Sequence, residues 1–317
     1  MNADVFAEWL RRQGYKVVRT PSSYWAEAGP HILQAFPYHW LVDPNKDELC
    51  QLLTKDHAIG LRYSAPWTAA QGVASYHVVY HGNAYSLDTL PKKARYDVRK
   101  GLESASVEPI SFSRSAVEGW ELRVETLARQ GRAYAESQAW WKNLCQSTQG
   151  LGGFETWGAV DRRTGKLGAS LIAFTCDNCC SVLYQQSRTD YLSEGVNNAL
   201  AFVFTSEVLK RSTVGQVFYG LHSLDAPASV DRFKFRMGYT AKPVRQRVVF
   251  HPWLAPLFGR GSHTVVRHLL RWQPGNPTLA KAEGMIRFYL GGKQPLSEQE
   301  WPEALADRRF EIVQGLT

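Results

Sequence analysis

The chain has no continuous apolar stretch approaching the ~20 residues a membrane-crossing helix needs, so no membrane-spanning helix is expected. Its N-terminus, MNADVFAEWLRRQGYKVV, interleaves charge with apolar residues, so a signal-peptide core is not expected either. There is no G-x-S-x-G elbow and no H-E-x-x-H pair, which leaves serine-hydrolase and zinc-protease chemistry without support. Internal repeats and low-complexity segments are also missing, against solenoids and disordered tails. Cysteine is scarce: Cys50, Cys145, Cys176, Cys179 and Cys180 make an odd count, expected as reduced thiols in a cytoplasmic, soluble protein. The cluster CDNCC has no second pair of ligands to complete a four-ligand zinc site. Asp177-Asn178 between two apolar runs reads instead as a hairpin turn, and no metal is expected.

What is present is ordinary globular composition with two biases. The 317 residues are 44% hydrophobic and 21% charged, enough for two core-bearing units or one large one. Eleven tryptophans and fourteen tyrosines suit clefts that use an apolar body with a polar edge. A formal charge of +8 and a pI near 9.2 favour an anionic partner: cofactor phosphates, RNA or an acidic surface. The cations are scattered, so the charge alone selects none of these.

Periodicity outlines the elements. A helix over 3–13 and strand-like runs YKVVRT, YHWLVD, AIGLRYS and SYHVVYH make residues 1–90 an α+β region. Pro91 opens a helix with Ala94, Val98 and Leu102 on its apolar face. Lys92, Arg95 and Arg99 fall on another face, as a solvated stripe or as a clamp for phosphate or carboxylate. The strand VEPISF then leads into helices at about 114–131 and 137–149. Three strands follow, FETWGAVD, LGASLIAFT and CSVLYQQS, joined by turns at Arg163-Thr164-Gly165 and Asp177-Asn178. A helix capped near Ser193 comes next, then the strand QVFYG, a helix from Pro227 to Met237 ended by Gly238, and the strand KPVRQRVVF. The tail holds two amphipathic helices, SHTVVRHLLRW and TLAKAEGMIRFYLGG. Strand–helix alternation with an antiparallel meander is a mixed α/β (α+β) pattern.

That order, with Lys93, Arg95, Arg99 and Lys100 on one helix and Phe233, Lys234 and Gly238 before the last long strand, resembles the GNAT superfamily of N-acyltransferases. The branch it is most similar to joins the Fem-type peptidoglycan aminoacyltransferases and BioF2-like acetyltransferase domains. The resemblance implies two GNAT-like halves: a degenerate one over 1–105, an acyltransferase domain over 106–250, and a C-terminal helical extension over 251–317. It implies acyl transfer to an amine acceptor, small molecule or peptide, with acyl-CoA as co-substrate. Aminoacyl-tRNA is the second donor it allows, and a binding module for a phosphorylated ligand or RNA is the reading without turnover. Ordinary GNAT enzymes grip CoA with a Q/R-x-x-G-x-G/A loop at a helix N-terminus. Here LSEGVNN keeps only Gly195 of that loop.

The site residues follow from the same resemblance. Lys234 stands where ordinary GNAT enzymes commonly carry a tyrosine and Fem-like ones a lysine; its ammonium would stabilise the oxyanion of a tetrahedral intermediate. His222 or Asp225, at the end of QVFYGLHSLD, would be the general base, although Asp225 equally suits a helix cap before Pro227 and His222 a turn. Backbone donors of Gln185, Gln186 and Ser187 would pair with the donor where two strands splay apart, with the side chains of Tyr184 and Gln186 in the same channel. Lys92, Arg95 and Arg99 would hold substrate. Trp140 and Trp141 read as core rather than as a ligand platform.

Overall fold

A computed structural model describes residues 2–82, 84–132, 136–224 and 228–314. The chain begins with α1 (Ala3–Arg12), β1 (Val17–Arg19), β2 (Tyr24–Gly29), β3 (Ile32–Phe36), α2 (Lys46–Thr54), β4 (Gly60–Ala65) and β5 (Val73–His81). It continues through α3 (Lys92–Ser104), β6 (Ala105–Pro109), α4 (Phe112–Arg129), α5 (Gln138–Gln146), β7 (Phe154–Asp161), β8 (Leu167–Cys176) and β9 (Cys179–Ser187). Then come α6 (Val196–Leu209), β10 (Gln216–Leu221), α7 (Ala228–Arg236), β11 (Thr240–Phe250), α8 (Arg260–Trp272) and α9 (Pro277–Gly291). The chain folds as two compact units: 1–13 with 78–220 and 226–240, and 14–77 with 221–225 and 241–317.

In the first unit β6, β7, β8 and β9 form an antiparallel run, and β10 lies parallel to β9. The two expected hairpin turns are present. At the first, Asp161 Oδ1 accepts from the backbone N–H groups of Arg163 and Thr164, both at 2.8 Å, and Gly165 takes φ 71. At the second, Asp177 takes φ 54, and Cys176, Cys179 and Cys180 are buried beside it. Burial pushes all three thiols up to about 12, so they pack as small apolar groups at neutral pH. Helix α4 starts where Ser111 caps it, its side chain accepting from Arg114 N, so the expected strand VEPISF stops at Pro109. Trp141 is fully buried and donates to Ser115 O, as a core residue does. Helix α1 also packs here, through Phe6 against Phe154 and Phe174 and through Trp9, whose indole donates to Leu144 O.

The second unit repeats the plan of three antiparallel strands, a helix and a parallel strand. β1, β2 and β3 pair antiparallel, α2 crosses over, β4 lies parallel to β3, and β11 pairs antiparallel with β4. Two features depart from expectation. YHWLVD is not a strand: Pro37 and Pro44 bracket it, and proline cannot donate to a ladder. Helix α2 is an addition, set by a capping box in which Asn45 and Glu48 satisfy each other's backbone N–H groups. Its Leu52 and Leu53 close a core with Trp25, Leu33, Leu61 and Tyr63.

His77 is buried in this unit, its Nε2 2.8 Å from Ser64 Oγ. Burial, with Lys242 and His39 nearby, lowers its pKa from 6.5 to about 3. Between those values the unfolded chain binds a proton that the folded chain refuses, so stability is present above the unfolded pKa and falls as pH drops towards 3. We expect the protein to be about 2 kcal/mol less stable at pH 5 than at pH 7 from this group alone. Urea melts of wild type and His77→Gln at both pH values check it: the variant should lose most of that difference.

Candidate active site

The first unit carries a local break in its sheet. β10 pairs with β9 at three positions only, Gln216 with Cys179, Val217 with Cys180 and Phe218 with Ser181. Yet β9 runs on to Ser187 and β10 to Leu221. Along the other edge of β9, the register with β8 slips between Ile172 and Ala173, which face Tyr184 and Val182, so Leu183 is the extra residue of a β-bulge. A bulge bends its strand and re-aims the side chains beyond it. Gln185 accordingly meets Tyr219 and Asn197, whereas Tyr184 and Gln186 meet α4 and α5.

Lys234 stands beside the diverging end of β10. It sits on the last turn of α7 and is only 8% exposed, uncommon for a lysine and tolerable only with a partner. Asp231, one turn earlier, supplies it: Nζ donates to Oδ1 at 2.8 Å. The ammonium also lies 5.6 Å from the centre of the Tyr219 ring, within cation–π range. Gly220, at φ 133, lies against it: an added Cβ would stand in van der Waals contact with Nζ, at 3.6 Å. Tyr219 in turn donates its hydroxyl to Gln185 Oε1, and Gln185 Nε2 donates to Asn197 Oδ1 at 2.8 Å. Tyr239 packs edge-on to Tyr219 at 4.9 Å and shares a 2.6 Å hydrogen bond with Thr205. Burial raises the pKa of both tyrosines well above 10, so Tyr219 stays a hydrogen-bond donor through the neutral range. The result is a fixed cation, a fixed phenol and a fixed amide along one chain of contacts.

The other sequence-derived residues distribute as follows. Gln186 is buried on the α4 side, its amide donating to Gly119 O and Ser170 Oγ. Ser187 is fully engaged there: its N–H donates to Thr126 Oγ1 at 3.0 Å, and Arg129 bonds its carbonyl and hydroxyl oxygens. An acyl donor therefore finds that N–H already taken, against the expectation for Ser187. Tyr184 packs edge-on to Trp141, with Arg123 over its ring at 5.1 Å. It lies with α4 and α5 rather than beside Lys234. His222 belongs to the second unit, where its ring stacks on Tyr76 at 4.5 Å and its Nδ1 lies 3.2 Å from Ser75 Oγ. Its carbonyl accepts from Arg62 and Gln246. Asp225 and Pro227 lie outside the described residues. Asp231, Tyr219 and Asn197 were missed in the sequence; only Asp231, three residues before Lys234, left a readable signal.

Gly195 is the point of close approach between α6 and α3. Helix α6 starts at Val196, not at Ser193, and Gly195 is its N-cap at φ 72. A Cβ there would lie 2.1 Å from the carbonyl oxygen of Asp97 on α3. One turn along, a Cβ on Gly101 would lie 2.4 Å from Gly195 O. Lys100 completes the closure, donating to Ser193 O at 2.9 Å and pairing with Glu194 at 3.6 Å. The first turn of α6 is thus covered by α3, where CoA phosphates would sit in an ordinary GNAT enzyme. On the solvent side of α3, Arg95 pairs with Asp88 and Lys93 with Asp97, while Lys92 and Arg99 are exposed. No group of three or more metal-type side chains gathers among the described residues.

A three-strand meander, a crossover helix and a parallel strand that diverges from its neighbour are the marks of one architecture. FemX has it, superimposing with a TM-score of 0.53 at 10% identity over 79% of this chain and 92% of that one. The fold is the GNAT fold. L-PGS from Bacillus licheniformis matches this GNAT-fold chain over 92% of its length and 97% of its own, with a TM-score of 0.52 at 12% identity. A conserved protein of unknown function from Bacteroides thetaiotaomicron matches at 0.52, with 11% identity over 78% of this chain and 91% of that one. No family model matches the sequence, and no curated protein does. At such identities the likeness is one of fold. No helix among the described residues is long and apolar enough to cross a membrane.

Proposed function

We propose that this chain is an N-acyltransferase whose chemistry takes place where β9 and β10 diverge. The observation that carries the reading is Lys234: a buried ammonium held by Asp231, over Tyr219, beside Gly220. A tetrahedral intermediate places an oxyanion on the attacked carbonyl, and a preorganised cation in a dry site stabilises that charge at little reorganisation cost. Tyr219, protonated throughout, keeps the amide of Gln185 in place. The acceptor amine must lose a proton; His222 and Asp225 are the candidate bases, and an unmoved pH–rate profile in His222→Gln eliminates the first. We read 1–105 and 106–250 as two GNAT-like halves along the chain, since each contributes one meander, one crossover helix and one parallel strand.

For the donor, the cover that α3 places on α6 favours an acyl group not gripped through CoA phosphates. Aminoacyl-tRNA, the donor of Fem-type relatives, fits that observation, with Lys92 and Arg99 exposed on α3 for RNA phosphates. Thermal melts with CoA thioesters from acetyl to long-chain test it. We expect no shift, and transferase activity that ribonuclease abolishes. A ligand at 100 times its Kd stabilises by roughly 2.7 kcal/mol, so an acyl-CoA site would raise Tm by several degrees. That result would make acyl-CoA the donor.

A further inference from the structure

We propose that the segment from Trp253 through α8 is a membrane-surface element of the second unit, seating on anionic lipid headgroups. The proposal stands apart from the acyltransferase reading, because it rests on none of the residues near Lys234. Its first support is exposure. Trp253 is 85% exposed, Leu257 65%, Val265 58%, Leu269 43% and Trp272 76%.

On α8 these side chains are ordered. His263 is tied to Glu283 of α9 at 2.8 Å, and Val266 packs against the cluster of Phe250, Met285 and Phe288. That flank holds the helix to its unit. Val265, Leu269 and Trp272, at i, i+4 and i+7, form a second apolar stripe that faces solvent. Arg260, Arg267 and Arg271, at i, i+7 and i+11, form a third stripe, and all three are exposed. An apolar flank with tryptophan at its end and arginines on the opposite side is the pattern of a helix lying in a bilayer interface. Tryptophan favours that depth because its ring is apolar and its N–H polar.

Charge selects the occupant. Residues 253–282 contain four Lys and Arg and no Asp or Glu, in a chain with 29 acidic residues overall. A second copy docking through the apolar stripe would bury that stripe alone, and the arginines on the other side would gain no counter-charge from it. RNA would use the arginines but would leave Leu257, Val265 and Leu269 in water. An anionic bilayer satisfies both stripes at once.

The test is flotation of the full chain with vesicles of phosphatidylcholine alone and of phosphatidylcholine mixed with phosphatidylglycerol. We expect binding to the mixed vesicles only. Each arginine near an anionic surface strengthens partitioning roughly fivefold, so Arg267→Glu with Arg271→Glu should weaken it by about 25-fold or more. Leu269→Ser with Trp272→Ser should abolish it, and melting should show all variants folded, since every altered side chain is exposed. The proposal is overturned if the wild type floats with neither vesicle, or if the variants float as it does. It is equally overturned if light scattering shows a dimer that the Trp272 variant dissolves, or if the two stripes prove necessary for RNA retention on a filter and not for flotation.

Discussion

Replacing Lys234 with methionine is expected to lower turnover by about 10²–10³-fold while leaving KM for the donor little changed, the range found for loss of one oxyanion-stabilising group. The physical argument is differential: the ammonium has little to bind in a neutral ester or thioester and much to bind once the carbonyl oxygen carries charge. The substitution also takes the ammonium away from Asp231, whose side chain is 15% exposed against 10% for Lys234. A largely buried carboxylate that loses its cation destabilises the fold, so the variant is measured together with Lys234→Met/Asp231→Asn, which removes both charges. If the double variant melts like the wild type and is as slow as the single one, the loss lies in catalysis. Asp231→Asn alone should lose less, because the cation remains but is no longer held. Wild-type turnover in a folded Lys234→Met protein would remove Lys234 from the mechanism.

Gly195→Ala is expected to destabilise the fold by about 3 kcal/mol or more, a Tm loss on the order of 5–10 °C. Two costs combine. An alanine at φ 72 pays roughly 1–2 kcal/mol for the left-handed backbone. Its Cβ would also come within 2.1 Å of Asp97 O, a backbone atom that can move only if α3 does. Gly165 supplies the internal control: it has φ 71, but nothing lies within 4 Å of its added Cβ. Gly165→Ala should therefore show the backbone cost alone. The gap between the two variants measures the α3 contact, and equal melting temperatures would mean that α3 does not press on α6 there. If the first turn of α6 were a phosphate grip instead, Gly195→Ala would weaken donor binding with a smaller effect on melting.

The two variants touch features that were legible in the sequence to different degrees. Lys234 was singled out from RFKFRMGY, and Gly238, at φ 84, ends its helix as the motif requires. Its ion pair, by contrast, depends on α7 being a helix, and its aromatic partner comes from a strand fifteen residues earlier in the chain. Gly195 was visible as a glycine next to a helix start, which suits both a phosphate loop and a close helix crossing. Only the position of Asp97 separates those uses, and Asp97 is distant in sequence. Ser187 shows the same limit: its place at the strand end was read correctly, but Thr126 had to be brought to it by α4.

What the sequence determined by itself was the local order: the meander of β7, β8 and β9 with its two turns, the helices with a 3.6-residue period, and the identity of the buried lysine. These depend on neighbours a few residues apart, so periodicity and turn chemistry carry them. The tertiary structure alone decided where β10 leaves β9, which faces Tyr184 and Gln185 take beyond the bulge at Leu183, and that α3 closes over α6. A single extra residue in a strand reverses every side chain after it, and no composition records that. Contacts between α3 and α6 join segments nearly a hundred residues apart, where packing rather than propensity selects the partner.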